Sequence, residues 1–258
     1  MRFFAVLALA SLVLAAVPSV FAYYNITNTN TTVVLSTNGS AHVLEQFTLF
    51  VSNSSFENYN SNRNALNLSL SHWQNVLYTT VLHEDLIGIG HDIYGFEFLP
   101  GPLLEQTANG GIATLSLNYY ISNVTNVSNI APRKFKYSFN DSLFNFESTA
   151  NGQVLPTNTR FNIVIPSGAE LVSVYPSPDM PKPDALGNYA NATIFSWDSG
   201  ELLSSFTFSY VTTQSLQDEV LAYLKGIYAE YALAIYFAII VAVVLIAAYV
   251  YTLNKRNR

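Results

Sequence analysis

Ala41-His42-Val43-Leu44-Glu45-Gln46-Phe47-Thr48-Leu49-Phe50-Val51 is the stretch that decides the fold class. Its odd positions are mostly apolar, the period-two pattern of a strand with one face in a core and the other in water. Working outward, further strands are predicted at 32–36, 94–99, 112–121, 134–139, 159–165, 169–175, 191–197 and 204–212. Turn chemistry separates them at Asn38-Gly39, Gly110-Gly111, Asn151-Gly152, Ser167-Gly168 and Gly187-Asn188. Short strands with frequent turns predict a mainly β fold, built as one or two antiparallel β-sandwich-like modules. The exception is Ser71-His72-Trp73-Gln74, where Ser three residues before Gln predicts a capping box that opens a short helix through about Thr80.

A soft boundary falls near Asn129 to Pro132, giving an N-terminal β-rich module over 23–130 and a membrane-proximal module over 131–213. In the second, Phe161 to Ile165 reads as a strand, Pro166-Ser167-Gly168 as a tight turn, and Leu171 to Tyr175 as the partner strand. A proline-rich excursion follows, and Trp197 with the alternating Phe206, Phe208 and Tyr210 supplies core aromatics. The segments IPSGAELVSVYPSPD (165–179) and NATIFSWDSG (191–200) together resemble the membrane-proximal β-sandwich modules of uncharacterised archaeal type I, single-pass cell-surface proteins. That resemblance covers about residues 159–212. It implies a cell-surface setting and carries no catalytic residues with it.

The composition agrees with such a setting. The chain has 258 residues, of which 50% are hydrophobic, only 11% are charged, and none is cysteine. The two ends account for much of the apolar excess, with 18 apolar residues in 1–22 and 22 in 231–253. The first reads as a secretory signal peptide. Arg2 is its positive region, Phe3 to Val17 its apolar run, and Val20-Phe21-Ala22 the cleavage site. The second, YALAIYFAIIVAVVLIAAYVYTL, carries no acid or base other than tyrosine and is long enough as a helix to cross a hydrocarbon core of about 30 Å. Tyr228, Tyr231, Tyr236, Tyr249 and Tyr251 suit the two interfaces. Lys255, Arg256 and Arg258 form a basic tail over 254–258 that the positive-inside rule places in the cytoplasm. The expected location is therefore the cell membrane, with the ectodomain outside and the C-terminus cytoplasmic.

Between these ends Ser215 opens an amphipathic helical stalk over 214–230, in which Leu216, Val220, Tyr223, Leu224, Ile227 and Tyr231 recur at helical spacing. Within the span, Ala234, Ala238 and Ala242 form a small-residue face that permits close helix approach, in a homo-oligomer or with a membrane-complex partner. From Tyr23 to Glu230 there are seven Lys or Arg and seventeen Asp or Glu, so this part carries 7 − 17 = −10, which disfavours nucleic acid as a partner. Hydration must come from elsewhere. Nine Asn-x-Ser/Thr acceptors, at Asn25, Asn30, Asn38, Asn53, Asn67, Asn123, Asn126, Asn140 and Asn191, predict a glycoprotein.

Chemistry is scarce. There is no cysteine nucleophile, no Gly-x-Ser-x-Gly elbow and no complete Gly-x-Gly-x-x-Gly loop, so neither a catalytic residue nor a cofactor site is indicated. His83, Glu84, His91 and Asp92 are of ligand type for a divalent metal, but their spacing matches no helical zinc motif, and Gly88 and Gly90 make the segment a loop. The reading that follows is a membrane-anchored surface protein without catalytic activity, with a structural role in the envelope or binding a protein or glycan. The alternatives are an accessory subunit that assembles through stalk and span, and a divalent-metal hydrolase using those four residues.

Overall fold

The alternation in 41–51 is realised along the whole of β2 (Ala41–Ser52): Ala41, Val43, Glu45, Phe47, Leu49 and Val51 are all fully buried, and every residue between them is half-exposed. β2 lies between β1 (Tyr24–Leu35) and β4 (Gly110–Ile121), both antiparallel to it, and β3 (Ile93–Pro100) closes that side as an edge strand. The computed structural model describes residues 24–65, 69–87, 92–104, 109–189 and 191–256. The predicted signal peptide, Asn67, His91 and the end of the basic tail lie outside them.

The chain is mainly β, with several antiparallel sheets. The remaining strands are β5 (Thr125–Ala131), β6 (Lys134–Phe139), β7 (Glu147–Thr149), β8 (Gly152–Val154), β9 (Thr159–Val164), β10 (Glu170–Tyr175), β11 (Ile194–Trp197) and β12 (Thr207–Thr213). A six-stranded sheet runs β11-β9-β1-β2-β4-β3, a four-stranded sheet β10-β12-β6-β5, and β7 pairs with β8.

The expected boundary at 130/131 does not divide the sheets. β9 and β11 come from beyond it, yet β9 pairs with β1, and it does so in parallel, from Thr29↔Thr159 to Val34↔Val164. Instead, residues 129–132 lead into the tight connection between β5 and β6, where Arg133 adopts a left-handed backbone with φ 63°. Strand β1 also begins eight residues earlier than predicted. Asn and Thr dominate 25–32 and disguise it, but pairing on both of its sides outweighs the poor strand propensity of asparagine.

The helices differ too. Ser69, not Ser71, caps α2 (Leu70–Leu77), accepting a bond from the His72 N–H, while the Gln74 side chain donates to the Leu82 carbonyl. A helix absent from the sequence reading, α1 (Phe56–Asn64), packs Tyr59 edge-on against Trp73 at 5.5 Å, and the Tyr59 hydroxyl donates to Gly101 O at 2.7 Å. Polar residues at nearly every other position hide this helix, and the one buried ring anchors it.

Aromatic rings carry the rest of the core. Trp197 of β11 meets Phe206 at 5.2 Å, Phe206 meets Phe144 at 5.0 Å, and Phe144 meets Phe161 of β9 at 5.4 Å, all edge-on. Phe195 of β11 meets Phe208 of β12 at 5.3 Å, which joins the two larger sheets through their facing side chains.

The chain forms two compact units, one built from residues through Val127 and from Lys136–Val211, the other from Ser128–Phe135 and from Thr212 onward. The second is dominated by α3 (Leu216–Arg256), a continuous helix of 41 residues that takes in the predicted stalk and span without a break at Gly226. Its foot is tied to the β5–β6 connection: Gln214 N–H donates to Arg133 O at 2.8 Å, and Arg133 Nε donates back to Gln214 O at 3.0 Å. Among the described residues, no helix is long and apolar enough to cross a membrane; the side chains at 233–235, 238 and from 248 onward, within and beyond the predicted span, are outside that description.

Phe47 sits at the centre of β2 with no exposure, so Phe47→Ala should remove about 3–5 kcal/mol from unfolding in urea. A loss below about 1 kcal/mol would show that β2 is not in the core.

Candidate functional site

Two features of the six-stranded sheet stand out, one on each face. On the inner face Glu45 is the single acid in the buried row of β2, and it is fully enclosed. Its Oε1 accepts from the Asp85 N–H at 2.8 Å and from the Tyr119 hydroxyl at 2.6 Å, and the same hydroxyl accepts from the Leu86 N–H at 3.2 Å. Its Oε2 has no partner. Asp85, also buried, accepts a hydrogen bond on Oδ2 from the Thr31 hydroxyl of β1. The segment 85–87 is clamped from the far side by Asn145 N–H to Asp85 O at 2.9 Å and Ile87 N–H to Leu143 O at 2.8 Å.

Among the described residues, no lysine or arginine neutralises this pair. Burial raises the Glu45 carboxyl well above the ordinary range, and the Asp85 and Glu84 charges add to that effect against the bonds from Tyr119 and the Asp85 N–H. Burial likewise lifts Asp85 to about 6, opposed by the Thr31 hydroxyl and by the His83 ring, whose Nδ1 lies 3.7 Å from Oδ1. The cluster is a proton-holding clasp between β1, β2, β4 and the 82–87 segment. Neither of the two concavities described below is lined by it.

Of the four predicted metal ligands, His83, Glu84 and Asp92 are described, and His91 lies outside the described residues. His83 and Glu84 immediately precede Asp85, and the Glu84 carbonyl accepts from Asn145 Nδ2 at 2.9 Å. Asp92 is exposed and bonded through its backbone to Ser122. Among the described residues, no group of three or more histidines and acids is placed to hold a metal ion.

The outer face is graded. Its strand registers form cross-strand rows. One row runs Arg160, Asn30, Gln46, Ser116, and the next holds Asn28, Thr48, Thr114. At the other end the row is Val164, Val34, His42, Tyr120, with the Tyr120 ring stacked between His42 at 4.7 Å and Tyr94 at 5.5 Å. Between them, Asn162 of β9 fixes the sheet by donating to Asn30 Oδ1 at 2.8 Å, Thr31 O at 3.1 Å and Thr32 Oγ1 at 3.3 Å.

The polar rows floor an open concavity of about 740 Å³, walled by Asn158, Thr159, Asp198 and Ser199. A β-bulge between Ile26 and Asn28 and a left-handed Asn158 (φ 60°) shape its rim. Its only charges, Arg160 and Asp198, satisfy one another at 2.7 Å. A second hollow of about 480 Å³ shares Asn28, Asn158 and Thr159 with it and reaches the exposed ring of Tyr78. None of these trough residues was singled out by their residue types as binding groups. The signal was the outward phase of strands β1 and β2, legible only once the register was known.

Of the predicted glycosylation acceptors, Asn25, Asn38, Asn53, Asn123, Asn126 and Asn191 are exposed, whereas Asn30 and Asn140 are half-buried and hydrogen-bonded through Oδ1. The side chains of Ala234 and Ala238 lie outside the described residues, and Ala242 is exposed. No protein-family model matches the chain, and no curated protein is significantly similar to it.

The raised carboxyl pKa values set the sign of a pH dependence. The folded state holds protons that the unfolded chain releases. This stabilisation is complete below the ordinary carboxylate range near 4 and is lost as pH rises through about 6. The unfolding free energy from urea titrations should therefore fall between pH 5 and pH 8, by a few kcal/mol at most, and Glu45→Gln combined with Asp85→Asn should flatten the profile. A wild-type protein more stable at pH 8 than at pH 5 would contradict this arrangement.

Proposed function

We propose that the chain is a single-pass, membrane-anchored extracellular surface protein whose β body binds a partner and performs no catalysis. The observation that carries this reading is the surface of α3. Phe237, Ile239, Ile240, Val243, Val244, Leu245 and Ile246 are each more than half exposed. At about 100° per residue, four consecutive side chains from Val243 to Ile246 face every side of a helix, so the apolar surface is a girdle and not a stripe. Such a surface is stable in lipid and costly in water.

The rest of the sequence supports the same orientation. The apolar leader directs the N-terminal side outward, and the basic residues after Leu253 suit the cytoplasmic face. Sugars on the exposed acceptor asparagines would hydrate a body with 24 charged residues in 208. The resemblance of 159–212 to archaeal surface modules points to the same setting.

A second reading, an accessory subunit of a membrane complex, draws on the lower part of α3. There Leu216, Val220, Tyr223 and Leu224 are exposed beside the girdle and offer a partner helix an apolar contact.

Alkaline carbonate extraction of membranes tests the anchor. The chain should stay in the pellet, and replacing Val243 and Val244 together with arginine should move most of it to the supernatant. Wild-type chain recovered in the supernatant would overturn the reading.

A further inference from the structure

We propose that the polar trough on the outer face of the six-stranded sheet is a binding site for a short, neutral oligosaccharide. This rests on the reading of the β body as an extracellular binding module and names its ligand class.

The first ground is uncommitted hydrogen-bonding capacity. Asn28, Gln46, Thr48 and Thr114 are neighbours across β1, β2 and β4 and line one concavity, and among the described residues none of their side chains is hydrogen-bonded to another group. Just beside them the opposite holds. Asn30 is engaged by Asn162, Asn162 Oδ1 accepts from Ser196 at 2.7 Å, and Arg160 is engaged by Asp198. A fixed polar frame therefore surrounds a set of free amides and hydroxyls.

The second ground is chemical type. An amide offers two donors and an acceptor, and a threonine hydroxyl offers one donor and two lone pairs. This mixture matches sugar hydroxyls, which donate and accept at each position. A phosphate or carboxylate ligand would need an uncompensated cation, but Arg160, the cation of this lining, is already paired. An apolar ligand would find amides where it needs hydrocarbon.

The third ground separates a sugar from a peptide. Peptides that bind sheets do so mainly by extending an unpaired edge. β2, and β1 from Thr29 to Val34, have partner strands on both sides, so along this floor the main-chain groups are occupied and side chains face the trough. From β9 to β4 the floor spans three strand spacings, about 14 Å. The exposed Tyr78 ring, 87% accessible in the adjoining hollow, offers an apolar face on which a pyranose can stack.

The test is titration calorimetry of the full chain in detergent micelles with neutral hexasaccharides of glucose, mannose and N-acetylglucosamine. A hexagalacturonate and a neutral extended hexapeptide serve as comparison ligands. At least one neutral hexasaccharide should bind with a Kd of about 1 mM or tighter. Asn28→Ala with Gln46→Ala should weaken it at least tenfold, while His42→Ala, on the aromatic row, should leave it within twofold. If the double variant does not fold, Thr48→Val with Thr114→Val, which keeps volume and strand propensity, takes its place with the same expectation. Binding of the peptide or the galacturonate alone, binding unaffected by these variants, or no binding by any of the neutral sugars would each overturn the site. Carbonate extraction of the same variants reports separately on the anchor, so failure here and failure of the surface-protein reading are distinguishable.

Discussion

The double pairing of β1 is the constraint on which the rest of the body depends. β1 is held antiparallel by β2 and parallel by β9, so a segment from the start of the chain lies between strands that are neighbours and strands that are more than 120 residues away. A parallel neighbour requires a long crossover, and everything from β2 through β8 forms it. The alternation of β1 then distributes roles to the two faces. Thr31, turned inward, holds the Asp85 carboxyl, whereas Asn28 and Asn30, turned outward, floor the trough. A one-residue slip in this register would exchange those sets and destroy both.

The buried carboxyls give the fold a preference for conditions in which they are neutral. A body without disulfides relies on its core, and here two acids form part of that core, with no lysine or arginine among the described residues paired to them. Their hydrogen bonds explain why this is tolerable. Glu45 Oε1 receives two donors, Asp85 receives the Thr31 hydroxyl, and protonation removes the charge that burial penalises most. The clasp thereby fixes the 82–87 segment, which has little regular structure of its own, against the sheet.

Legibility in the sequence followed burial on one face. β2 and β4 could be read directly because one face of each is sealed and the other is wet. β1 could not, since its Asn-Thr run has no apolar phase before Val33, and the reason for its extension lies in β9, far along the chain. The same non-locality hid the link between the halves and made 129–132, the end of β5 and the start of the turn after it, look like a domain boundary. Glu45 was visible as one acid on an apolar phase, but its partner Asp85 was embedded in a run of ligand-type residues that drew attention to metal chemistry. The helix from Leu216 was legible because its spacing and the apolar run after it are local properties.

Native-state hydrogen exchange of the β1 amides from Thr29 to Val34, measured over a denaturant series, tests this account most directly. If β1 unites the body, these amides open only with global unfolding, with the same free energy as those of β2 and β9. If β9 and β11 instead lose protection at lower denaturant than β2 and β4, the body consists of two separable modules and the central role of β1 is contradicted.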